Sequence, residues 1–198
     1  LAEQTPIAPE SPGMEEGAGM GANGPLRLIA AVTAVALWVA VIALHDALTP
    51  RLLGLVLVAV LARVTVTDLE ERRIPNRVTV PASFAALVIG LILHASGLPA
   101  QVLAGLGTGI FLFAFAILSR GGLGMGDVKL GIVLGLFLGK YVIVALCAGL
   151  LASAVLSIGV LVRRGIAAGR RTAIPLGPFL ALGGVVALLA GRTLVPGL

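Results

Sequence analysis

The chain has 198 residues, of which 59% are hydrophobic and only 12% charged. Soluble domains carry about 25% charged residues, so a single small core cannot hide this much apolar surface and lipid must solvate most of it. The pI of about 10.7 does not point to nucleic acid, because the basic residues cluster at the ends of apolar blocks, where they report topology.

Residues 1–25 are rich in Gly, Pro, Glu and Ala and contain no apolar run. They are expected to form a disordered cytoplasmic tail. They lack the basic start of a signal peptide, and the first apolar block, 26–44, reads as a retained helix. Further blocks follow at 52–67, 78–96, 101–119, 128–139, 141–162 and 174–191. A crossing needs roughly 20 apolar residues, and backbone groups in lipid must bond internally, so these blocks are helices. They are apolar on every side, unlike the alternating strands of a β-barrel. The expected fold is therefore an all-α, polytopic helical membrane bundle of six to seven spans, with 26–198 as one integral domain.

The block 128–139 is only about 18 Å long as a helix. Fusing it with 141–162 would send the arginines of 163–171 to the outer side. A break near Gly139–Lys140 keeps them in the cytoplasm. With the N-terminus inside, ten basic residues fall on the cytoplasmic side: Arg27, Arg72, Arg73, Arg77, Arg120, Lys129, Arg163, Arg164, Arg170 and Arg171. Three fall outside, namely Arg51, Lys140 and Arg192, and Arg63 lies within a span. The positive-inside rule then selects N-in.

Ionisable groups at membrane depth are costly and mark function. Asp68 closes the block 52–67, and Asp127 opens the next short block on the same face. Glu70 and Glu71 fall in a mixed-charge run, Asp68–Arg73, that reads as an exposed loop. Two close carboxylates share one proton, so one can take a proton from water while the other polarises a carbonyl. Asp127 ends the run Gly121-Gly122-Leu123-Gly124-Met125-Gly126-Asp127, a loop bare enough for an extended substrate to lie against. Gly131, Gly135 and Gly139 continue at i+4 spacing, a face suited to close helix approach, with the Asp68 helix as a candidate neighbour.

Other residues invite plainer readings. Cys147, the single cysteine, reads as a small apolar side chain. His45 and His94 lie at the other ends of their spans without a third ligand, so no metal is expected. Lys129 either contacts the carboxylate pair or substrate, or snorkels to headgroups. The arginines of 163–171 anchor topology and attract anionic lipid.

Three motifs in order resemble the prepilin peptidase family, a branch of the GxGD membrane aspartic proteases. They are Asp68 with Ile74-Pro75-Asn76, the run Gly124-Met125-Gly126-Asp127-Val128-Lys129-Leu130, and Pro175-Leu176-Gly177-Pro178-Phe179-Leu180. An aromatic residue is commoner at the position of Leu176. The likeness covers about 52–190. It implies an aspartic endopeptidase of the bacterial cytoplasmic (inner) membrane that needs no cofactor. Such an enzyme removes the short basic leader of type IV prepilins or pseudopilins at the cytoplasmic face. Asp68 and Asp127 would be the catalytic pair, with Gly124, Gly126, Lys129, Ile74, Pro75 and Asn76 shaping the site. The partners implied are the prepilin substrate and the bilayer. Larger members also N-methylate the new terminus through a domain with paired Cys-x-x-Cys motifs. This sequence has no such pairs, so peptidase activity without that domain is expected. The alternative from another class is a proton- or cation-coupled transporter, or a non-catalytic membrane subunit.

Overall fold

The structure, a computed structural model, describes residues 24–119, 123–169 and 176–194. The expected tail up to residue 23, together with Arg120, Gly121, Gly122, Arg170, Arg171 and Pro175, lies outside them. Seven α-helices follow in order among the described residues: α1 (Gly24–Leu44), α2 (Leu48–Glu71), α3 (Asn76–Leu93), α4 (Leu98–Leu118), α5 (Met125–Leu138), α6 (Val142–Gly169) and α7 (Gly177–Leu194). Each corresponds to one apolar block of the sequence. By length and apolarity α1 to α4 can each cross a membrane; the apolar run from Met125 to Arg163 is long enough as well but is divided between α5 and α6, and α7 is a shorter apolar helix. The protein is thus a multi-pass helical membrane protein.

The break between the fifth and sixth blocks is present. Gly139 has φ +54, a left-handed conformation that costs an L side chain. A 3-10 turn over Gly139–Tyr141 then reverses the chain. Successive helices therefore run in alternating directions. One end of the bundle collects the C-terminus of α2 and the N-termini of α3, α5 and α7. The other collects Ala47, His94 and Leu138.

Short α5 is the centre of the bundle. Nine of its 14 residues are buried, including Leu130, Val133 and Leu134. They pack with Leu57, Leu61 and Val64 of α2 and Leu180 of α7. The outer faces carry exposed apolar side chains such as Leu103, Ile110, Val155 and Ile158, as a lipid solvent demands. Association in lipid depends on close packing, and small residues provide it at the α4–α5 contact. A Cβ on Gly135 would sit 2.5 Å from the Cα of Gly105, and one on Gly131 would strike Leu112 of α4. The glycine face of α5 is thus turned to α4, not to the Asp68 helix. Periodicity identifies such a face but not its partner.

Helix α1 lies at the periphery, and Val41 is its one buried residue among those described. Three contacts attach it to α2. Val41 fits against Gly54, the Trp38 indole N–H donates to the Leu55 carbonyl at 2.9 Å, and the Arg27 guanidinium grips Glu70 through two bonds of 2.9 and 3.1 Å. Bidentate pairing of this kind fixes orientation as well as distance. Glu70→Arg is expected to loosen α1 and lower the thermal midpoint modestly. Arg27→Glu in the same chain should restore it. Thermal unfolding of the two single variants and the swap in one detergent checks this, and no recovery in the swap would remove the pair from the account.

Candidate active site

Asp68 sits in the last turn of α2, which runs on to Glu71. The charged run read from sequence as a loop is therefore partly helical. Glu70 is held by Arg27, and the helix stops at Arg72, whose φ of 51 places it in the left-handed region. The Arg72 N–H donates to the Asp68 carbonyl at 3.0 Å, closing the turn in the manner of an αL cap. Thr67 is buried and donates back to the carbonyls of Arg63 and Val64. Asp68 is only 6% exposed, and its Oδ2 is buried without a hydrogen-bond partner among the described residues.

Ile74, Pro75 and Asn76 form the turn from α2 into α3. Pro75 caps α3 from extended backbone, φ −74 and ψ 136, a φ that its ring fixes in advance. Its carbonyl accepts from Val78 and Thr79. The turn thereby projects Ile74 and Asn76 toward the start of α5.

The glycine loop delivers Asp127. Gly124 is the N-cap of α5, and Asp127 occupies the third helical position. The Gly124 N–H donates to Asp127 Oδ2 at 3.2 Å, the backbone half of a capping box. Asp127 is thus a capping residue from inside the helix, not the N-cap itself. Gly126 faces Ile74 so closely that a Cβ would lie 3.0 Å from that of Ile74. Lys129, one turn further into α5, donates to Asn76 Oδ1 at 2.8 Å. That bond ties the second motif to the first.

Asp68 and Asp127 line one open cavity of about 540 Å³, together with Glu71, Arg72, Arg73, the Ile74–Asn76 turn and Gly124–Gly126. All eight residues singled out from the sequence lie in or beside this region, and seven line the cavity directly. Lys129 reaches it through Asn76. One neighbour was not anticipated. Gly177, opening α7, lies against the Asp68 carboxyl, where a Cβ would stand 2.5 Å from Oδ2. The signal was present in the third motif, but nothing local to that motif says which residue it meets. The histidines take no part, since both line a cavity at the other end of the bundle.

Residues 55–161 match the model of the type IV leader peptidase family. The chain belongs to that family. It is 31% identical over 156 residues to the prepilin leader peptidase/N-methyltransferase of Aeromonas salmonicida (strain A449), covering 74% of this chain and 53% of the relative. The namesake from Aeromonas hydrophila is 31% identical over 149 residues, with 72% and 51% covered. The chain therefore spans about half the length of the curated relatives it matches. No solved structure matches it significantly. A family of peptidases favours the hydrolytic reading of the cavity over the transporter alternative. The family match leaves out all of α1 and all of α7, so Arg27 and Gly177 approach the Asp68 turn from outside the matched residues.

Proposed function

We propose that this protein is an aspartic endopeptidase that removes the leader of type IV prepilins or pseudopilins, with Asp68 and Asp127 as the catalytic pair. The observation that carries this reading is the shared cavity, into which two carboxylates from different helices open beside a loop poor in side chains. One carboxylate, ionised, takes a proton from water. The other, protonated, donates to the scissile carbonyl as the tetrahedral centre forms. Protons return through the same pair to the leaving amine. The pair works as a unit, so neither member has a fixed role. Gly124 and Gly126 leave room for an extended substrate backbone. The Ile74–Asn76 turn and Lys129 hold the two motifs in register.

The active face is assigned to the cytoplasm of an inner membrane, N-terminus inside, on the ten-to-three distribution of basic residues. In that orientation the cavity meets the leader of a substrate before its hydrophobic helix has left the membrane.

The test is co-expression with a prepilin and a pseudopilin, following leader loss by intact mass, with a reporter fused to the C-terminus of α3 to read its side. Cleavage together with an outer reporter fits the proposal. An intact substrate set, or a cytoplasmic reporter, counts against it.

The Lys129–Asn76 bond yields a separate expectation. Lys129→Ala and Asn76→Ala each lower the cleavage rate, and the double variant is no slower than the worse single one, because both remove one interaction. Additive losses in initial rates would show that the two residues act independently.

A further inference from the structure

At the end of the bundle away from the carboxylates, two cavities share a wall. One, of about 420 Å³, has a mixed lining, with His45, His94, Thr49, Gln101, Tyr141 and Lys140 set among apolar side chains such as Leu53, Phe137 and Leu188. The other, of about 630 Å³, is an apolar groove between α4 and α6, lined by Leu103, Gly107, Phe111, Ile143 and Leu146 among others. Ala100 and Lys140 line both. Lys140 is exposed, lies 5.4 Å from the Tyr141 ring centre and forms no ion pair among the described residues. No carboxylate lines either cavity.

We infer that this pair of cavities is a binding site for one anionic phospholipid. The phosphate sits at Lys140, and an acyl chain lies in the α4–α6 groove. Charge selects the occupant: Lys140, in no ion pair among the described residues and with no carboxylate lining either cavity, stands where a recess holding several polar side chains meets an apolar furrow, which suits an anionic lipid. A single acyl chain is slender enough to lie within the groove. Occupancy would also fill the gap left between α4 and α6 on either side of the central α5, whose outer end at Leu138 borders the first cavity. The lipid would therefore brace the far end of the helix that carries Asp127.

Native mass spectrometry of the full chain, titrated with phosphatidylglycerol and with phosphatidylcholine of the same acyl chains, tests this. Phosphatidylglycerol is expected to bind first as a single tight adduct. Lys140→Gln should weaken that adduct roughly fivefold, the effect of one basic side chain at a membrane surface, and Lys140→Arg should retain it. Gly107→Leu probes the groove, because a Cβ at Gly107 meets nothing within 4 Å and the larger side chain takes the space of the acyl chain without disturbing the helices. It should weaken both lipids. Equal binding of the two lipids by the wild type, or a phosphatidylglycerol preference unchanged in Lys140→Gln, would overturn the inference. So would undiminished binding by Gly107→Leu. Failure of prepilin cleavage would leave the lipid measurement unaffected, so the two proposals stand or fall separately.

Discussion

Asp68→Asn and Asp127→Asn should each lower the rate of leader cleavage by at least about 10³-fold while the protein still inserts and runs as a single species. General acid–base catalysis contributes about 10²–10⁴-fold per group, and a coupled pair fails when either member fails, so the double variant should be no slower than either single one. The loss should fall in kcat, because the amides keep the shape of the cavity. Asn at position 127 can still accept from the Gly124 N–H, so the start of α5 survives. Asn at position 68 is nearly isosteric with the carboxyl and keeps an oxygen that can accept from the Gly177 backbone N–H, so the contact with α7 is retained. Asp68→Glu makes a sharper test. It keeps the acid but pushes it one methylene further, into a space that Gly177 already closes, and it should be nearly as slow as the amide. Initial rates on a prepilin in detergent, read by mass, check all four variants. Full activity in both amide variants would rule out the carboxylate mechanism.

Much of this arrangement can be read from sequence, and the parts that cannot share a physical reason. The seven helices are legible because each apolar block is bounded by charges, turns or glycine. The reversal at Gly139 is legible because the arginines of 163–171 require it. The gathering of the eight singled-out residues around one cavity is legible because two motifs carry all of them. What fails is the assignment of partners across the bundle. The stripe of Gly131 and Gly135 has a face that periodicity reveals, yet Gly105 on α4 takes it up rather than α2. Glu70 and Glu71 look like a solvated loop because charge runs usually are one. Here Arg27, on a helix wholly outside the family match, grips Glu70 in the last turn of α2. Hydropathy is a property of a segment, whereas these contacts join segments far apart in the chain.

Gly177 shows what such a contact implies for catalysis. Gly177→Ala should reduce kcat by about 10²-fold with little change in insertion or thermal midpoint. An added Cβ would lie 2.5 Å from Asp68 Oδ2 and 3.0 Å from its Cγ, closer than any real methyl contact, so either the carboxyl turns or the start of α7 retreats. The Asp68 carboxyl is terminal on a short side chain and can rotate, whereas α7 is fixed along its length by Gly183 against Ala145 on α6 and by Leu180 in the core. The carboxyl therefore yields. A displacement of about 1 Å at a reacting group costs on the order of 10²-fold. The pattern separates position from stability: a fall in kcat at constant midpoint marks Gly177 as a positioning residue, whereas a fall in both would make it a packing residue of α7. Compensation offers the stricter control. Asp68→Glu combined with Gly177→Ala should be slower than either variant alone, because both changes crowd the same space. If the pair instead recovers activity, the carboxyl has found another route to Asp127 and the close approach of α7 is not what sets its position.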